Sequence, residues 1–136
     1  MDGRPRIVLA GRMQHMPGFL RLVEDACTRI TEVTCTEVSG LLERGDPVCL
    51  IDVREHEEWV RGHLPRARHL CKGIIERDIE TAVPDLETHI VLYCGGGFRS
   101  ALAADALAKM GYRRVRSMAG GWRGWTGAGL PVVVPE

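Results

Sequence analysis

The residue in this chain with the clearest means of doing chemistry is Cys94. It follows the apolar run Ile90-Val91-Leu92-Tyr93 and precedes Gly95, Gly96, Gly97, Phe98, Arg99 and Ser100. A continuously apolar run of this kind fits a strand covered on both faces. Beyond the glycines, Leu102, Ala103, Ala106, Leu107 and Met110 mark one face of a helix that stops at Gly111. Cys94 is therefore expected at the carboxyl end of a strand, where open α/β sheets place their ligands. Three glycines let the backbone curl its N–H groups inward. The following helix aims the positive end of its dipole at the same point, and Arg99 adds a full charge. Each influence favours thiolate over thiol and lowers the pKa from about 8.5. The expectation is a nucleophilic sulfur in an anion cradle. The plainer alternative is a tight glycine turn that begins at a buried cysteine.

The other cysteines lack such surroundings. Cys27 falls on the apolar face of a helical pattern and Cys49 inside an apolar run, where thiols are inert. Cys35 and Cys71 lie in less defined segments. The count of five is odd and no CxxC occurs, so neither a zinc knuckle nor a thioredoxin-type pair is written here. No metal or organic cofactor is implied. Cys71 as a resolving thiol for Cys94 finds no support in the spacing.

Around this loop the chain alternates strands and helices. Phe19, Val23, Ala26, Cys27 and Ile30 repeat at helical spacing after Pro17, which predicts an amphipathic helix packed on the core. Residues 1–16 read as an irregular lead-in, and residues 31–34 as a short extended piece. Thr36 is positioned to cap a helix with Val38, Leu41 and Leu42 inward and Gly45 as its stop. Val48–Val53 reads as a buried strand, residues 55–61 as a short helix closed by Gly62, and Ile74–Ile79 as another. Val115–Met118 is a further strand, and Gly120–Trp125 turns into a last short helix. The fold class is α/β, with a central, mainly parallel sheet flanked by helices on both faces.

Composition sets limits. The 136 residues fit one domain, and 45% hydrophobic with 26% charged residues is ordinary globular composition. Eighteen basic and eighteen acidic residues give no net charge, which argues against a global grip on nucleic acid or an anionic membrane. No apolar run reaches membrane-spanning length, and Ile7–Ala10 is too short for a secretory core. A reducing, cytoplasmic setting with free thiols is the expectation.

Five ordered motifs then carry a resemblance. They are Asp52-Val53-Arg54-Glu55; Gly62-His63-Leu64-Pro65 with Ala67, after a helix bearing Glu58 and Trp59; Tyr93-Cys94 with Gly97, Arg99 and Ser100; Met110-Gly111-Tyr112; and Gly120-Gly121-Trp122 with Trp125 and Leu130-Pro131. Together they resemble the single-domain rhodaneses, a family of sulfurtransferases. The resemblance implies a rhodanese-like domain over residues 30–136, with residues 1–29 as an N-terminal extension carrying the amphipathic helix. It implies that Cys94 takes the outer sulfur of a donor such as thiosulfate as a persulfide and yields it to a thiol, cyanide or protein acceptor. Residues 95–100 would bind the anion, and Arg99 would help hold the donor. Asp52 and Arg54 would support the loop and neighbouring turns, and His63 would take a structural place in a turn. Trp59, Trp122 and Trp125 would form core or pocket wall. No metal or cofactor is needed, and no nucleic acid or membrane partner is expected.

Arg66 departs from the small residue frequent after that proline. With Arg61, His63, Arg68, His69 and Lys72 it forms a locally basic stretch, read as a solvated loop face, or more sharply as a dock for an acidic acceptor or anionic donor. Two other functions compete. Phosphatases and arsenate reductases of this fold have a longer loop; here four residues separate Cys94 from Arg99, which suits sulfur better than phosphate. A redox-sensing or partner-binding module is the second alternative.

Overall fold

The computed structural model describes residues 15–136. The irregular lead-in expected over residues 1–16 lies, but for its last two residues, outside the described residues. The elements run α1 (Pro17–Cys27), β1 (Thr31–Val33), α2 (Cys35–Arg44), β2 (Cys49–Asp52), α3 (His56–Val60), β3 (Arg68–His69), α4 (Ile75–Ala82), β4 (Ile90–Tyr93), α5 (Phe98–Lys109), β5 (Val115–Met118) and α6 (Gly121–Gly127). The strands form one parallel sheet in the order β1-β5-β4-β2-β3. The parallel sheet flanked by helices is the expected α/β architecture.

β4 lies at the centre because it can be buried on both faces: all four of its residues are buried. Side chains alternate along a strand, and two cores result. On one face Ile51 and Leu92 pack with Ile75, Ile79, Ala104 and Leu107 of α4 and α5. On the other, Leu50, Val91 and Tyr93 pack with Val38, Met118 and Trp125. The register pairs Leu50 with Val91 and Asp52 with Tyr93, so β2 and β4 end level with one another. Cys94 emerges at this common edge.

Several boundaries differ from expectation. The cap of α2 is Thr34, not Thr36. Thr34 is extended, and its hydroxyl accepts the Glu37 N–H at 3.0 Å while the Glu37 carboxylate accepts the Thr34 N–H at 3.3 Å. That reciprocal pair starts the helix two residues earlier and places Thr36 inside its first turn. α4 runs on to Ala82, with Ile75 and Ile79 as its buried stripe. β3, two residues long, carries no period from which it could be read. Cys27, expected on a buried face, is exposed; Val23 and Ala26 fill the α1 contact instead.

α1 lies along α5. Arg29, just past its end, fixes it there through two bonds to Asp105 of α5, Nε to Oδ1 at 2.9 Å and Nη2 to Oδ2 at 2.8 Å. The geometry is bidentate, which gives direction as well as attraction.

Candidate active site

Cys94 is 1% exposed and forms the floor of a cleft of about 460 Å³. Its Sγ accepts the N–H of Gly97 at 3.1 Å and that of Ser100 at 3.4 Å, and lies 3.5 Å from the Ser100 hydroxyl. Ser100 is tied in turn to Ser117 of β5, oxygen to oxygen 2.8 Å. Burial is the largest single influence on the thiol and pushes its pKa up. Hydrogen bonds from the Ser100 hydroxyl and from the backbone at Ser100, Gly96 and Gly97 outweigh it and hold the group below its ordinary value. The first turn of α5 directs its free N–H groups at the sulfur, as a helix N-terminus does for an anion.

Two glycines shape this cradle. Gly97 caps α5 with φ at 102°, a left-handed conformation that side chains avoid. Gly121 approaches the loop so closely that a Cβ there would overlap the Cys94 carbonyl oxygen. From that turn Trp122 donates its N–H to Cys94 O at 2.8 Å and Arg123 donates to Gly95 O at 3.0 Å. The start of α6 thus occupies the carbonyls of the loop and leaves its N–H groups turned toward the sulfur. The Gly120-Gly121-Trp122 motif is a clamp on the loop, a function not visible in its composition.

Asp52 and Arg54 are buried at 0% and 3% exposure. Arg54 Nη2 donates to Asp52 Oδ2 and to Gly62 O, each at 2.7 Å, and its guanidinium lies 4.5 Å from the Trp122 ring centroid. These contacts hold the Gly62 turn and the root of the α6 clamp, and neither residue bonds to the Cys94 sulfur. Tyr93 accepts the Leu64 N–H at 3.1 Å and pins the same turn. His63 stacks on Trp59 at 3.6 Å with its Nδ1 2.9 Å from Leu64 O. Trp125 is buried and donates to Pro131 O at 2.8 Å. In the basic stretch, Arg66 reaches Asp46 O at 3.1 Å and Arg68 reaches Ala82 O at 3.0 Å, so both bind their own fold.

Arg99 stands at the cleft with a partner the sequence did not suggest. Its Nη1 and Nη2 donate to the two carboxylate oxygens of Glu58 at 2.8 and 3.1 Å. The guanidinium beside it holds the Glu58 carboxyl below its usual range. Partly exposed and bidentate, the pair ties Arg99 to α3 beside the Cys94 loop. Also unforeseen is the opposite wall. His15 and Phe19, at the start of α1, close on Phe98 with ring centroids 4.7 and 6.2 Å away. Arg123 completes the lining. Sequence distance hid these residues: aromatic side chains at the head of a helix read as core until a loop almost eighty residues on comes to meet them. Among the described residues no three His, Cys, Asp or Glu side chains gather as metal ligands would, and no helix is long and apolar enough to cross a membrane.

Several known proteins are similar to this chain. Residues 34–128 match the profile of the rhodanese-like domain. A sulfurtransferase of Allochromatium vinosum is 33% identical over 107 residues, covering 79% of this chain and 98% of that protein. The thiosulfate sulfurtransferase GlpE of Haemophilus influenzae is 31% identical over 101 residues, covering 74% of this chain and 92% of the relative. Among solved structures, a protein of unknown function from Rhodopseudomonas palustris, described as a possible tyrosine phosphatase, superposes with a TM-score of 0.80 at 28% identity, covering 90% of this chain and all of that one. The matched residues take in α2 through α6 and the whole Cys94 loop, and the chain therefore belongs to the rhodanese-like domain family of sulfurtransferases.

Proposed function

We propose that this chain is a sulfurtransferase of the thiosulfate type, which carries a sulfane sulfur on Cys94 as a persulfide. The ring of N–H and O–H donors around the Cys94 sulfur carries the reading. A thiolate held in that ring attacks the outer sulfur of thiosulfate. A bond forms between Sγ and that sulfur, the bond to the sulfonate breaks, and sulfite leaves with the electron pair. The product is an anionic persulfide, stabilised by the same donors of residues 95–100. A thiol, cyanide or protein nucleophile then attacks the terminal sulfur, forms a new bond to it and returns the electron pair to Cys94. No electrons are gained or lost overall, and no cofactor is called on. The name of the Haemophilus influenzae relative supports thiosulfate as donor.

In this reading residues 30–136 form the rhodanese-like unit and residues 1–29 an extension whose helix adds a wall to the cleft. Five unpaired cysteines favour a reducing, cytoplasmic setting. Phosphoryl transfer fits less well: four residues between Cys94 and Arg99 make a short ring, and Arg99 is engaged by Glu58. Intact-mass measurement after incubation with thiosulfate tests the assignment. Wild type gains one sulfur and Cys94→Ser gains none. A sulfur adduct that persists on the serine variant, or fails to form on wild type with any donor, overturns it.

A further inference from the structure

Arg123 is the cation at the mouth of the cleft that no carboxylate of the described residues neutralises, whereas Arg99 there is bound to Glu58. It is exposed on the first turn of α6, and its own N–H is anchored on Gly95 O at 3.0 Å. Its guanidinium lies directly across the loop. A Cβ at Gly95 would stand 3.0 Å from Arg99 Nη2 and 3.2 Å from Arg123 Nη1, and a Cβ at Gly96 would overlap Arg123 Nη2. The absence of a side chain at Gly96 is what lets the Arg123 guanidinium lie over the loop that holds the sulfur. Gly95 and Gly96 offer no side chain of their own, and a cationic side chain from another element lies over them.

We propose that Arg123, lying over the side-chain-free peptides of Gly95 and Gly96, binds the anionic end of the sulfur donor and sets the preference of the cleft for donors whose sulfane sulfur adjoins an oxyanion such as a sulfonate. This rests on the sulfur-transfer reading above. Arg99 then acts as a positioning residue that ties the start of α5 to Glu58. An arginine fork suits two oxygens of a sulfonate. The backbone donors around Sγ are left for the thiolate and the transferred sulfur.

Alkylation and turnover test this together. Iodoacetate and iodoacetamide modify the same thiolate, but only the first is an anion, so the ratio of their rates at Cys94 reports the local positive charge. Arg123→Ala is expected to lower that ratio about tenfold, with iodoacetamide unaffected, and to raise KM for thiosulfate about tenfold or more with kcat changed less than about threefold. Arg123→Lys keeps the alkylation ratio and recovers part of the KM. Gly96→Ala, which displaces the guanidinium, moves both readouts in the direction of Arg123→Ala. A ratio and a KM that both stay within about twofold of wild type overturn the proposal, and so does equal slowing by both reagents. If wild type transfers no sulfur, the functional reading falls, while the alkylation ratio still decides whether Arg123 is the anion-binding group.

Discussion

Cys94 and Cys35 stand at comparable places and have opposite character. Each lies at the start of a helix, Cys94 before α5 and Cys35 as the first residue of α2. Each touches a segment that leads into or begins α6. Yet the Cys94 thiol is held below its ordinary value and the Cys35 thiol is pushed up by burial. Burial does not order them, because Cys94 is the more deeply buried. The difference is the sign of the neighbouring dipoles. The Cys94 sulfur meets N–H groups at 3.1 and 3.4 Å, while the Cys35 thiol donates to the carbonyls of Ala119 and Gly121 at 3.6 and 3.7 Å. One turn, Ala119–Arg123, supplies both environments: the N–H groups of Trp122 and Arg123 occupy carbonyls of the Cys94 loop, and the carbonyls of Ala119 and Gly121 face Cys35. Proximity to a helix N-terminus activates a thiol only if the N–H groups reach the sulfur.

The largest expected effect tests that contrast directly. Cys94→Ser should abolish sulfur transfer, a loss of about a thousandfold or more, whereas Cys35→Ser should retain turnover within about threefold. In wild type, pH-dependent alkylation followed by mass mapping should label Cys94 with a midpoint below that of an ordinary thiol and Cys35 with one above it. Because the depressed group is an acid, its reactive thiolate persists as pH falls until the lowered value is passed. Equal labelling of the two at pH 7 would break the comparison.

A smaller effect isolates the ring itself. Ser100→Ala removes the hydroxyl beside the sulfur and leaves the buried Ser117 hydroxyl without that partner. The Cys94 midpoint should rise, and alkylation at pH 6–7 should slow by about threefold to tenfold, with a stability loss of about 1 kcal/mol. Unchanged reactivity would assign the activation to the backbone N–H groups alone.

The smallest concerns the wall that α1 brings to the cleft. Asp105, between Arg29 and Lys109, is held well below its ordinary 3.8, at about 2, chiefly by its hydrogen bonds with Arg29. A depressed carboxyl stabilises the fold fully above its unfolded value, and that contribution is lost as pH falls from about 3.8 toward 2. Asp105→Asn should lower Tm by about 2–4 °C at pH 7 and by less at pH 3 in thermal unfolding followed by circular dichroism. The same deficit at both pH values would show that the pair holds α1 by shape rather than charge.

Much of this was legible in the chain. β2 and β4 follow from apolar runs of strand length, α5 from its apolar face, and the Cys94 cradle from a strand end, three glycines and a helix start. Thr34 and Thr36 could each cap α2 on local chemistry, and only the match of Thr34 with Glu37 selects one. β3 is too short to carry a period; it exists because its backbone extends the sheet beside β2. Glu58 with Arg99, Arg29 with Asp105, and Arg123 over Gly96 join residues 41, 76 and 27 positions apart, read from their numbers.

The amino-acid sequence alone determined which sulfur could be activated and what sort of backbone would surround it, because glycine freedom, strand periodicity and helix dipoles are local properties. The pairing of charges at the mouth of the cleft was decided only by tertiary structure. Arg99 looks like the available cation in one dimension. In three it is matched by Glu58, and among the described residues no carboxylate pairs with Arg123, since an ion pair is made by the approach of side chains that the chain's linear order does not record.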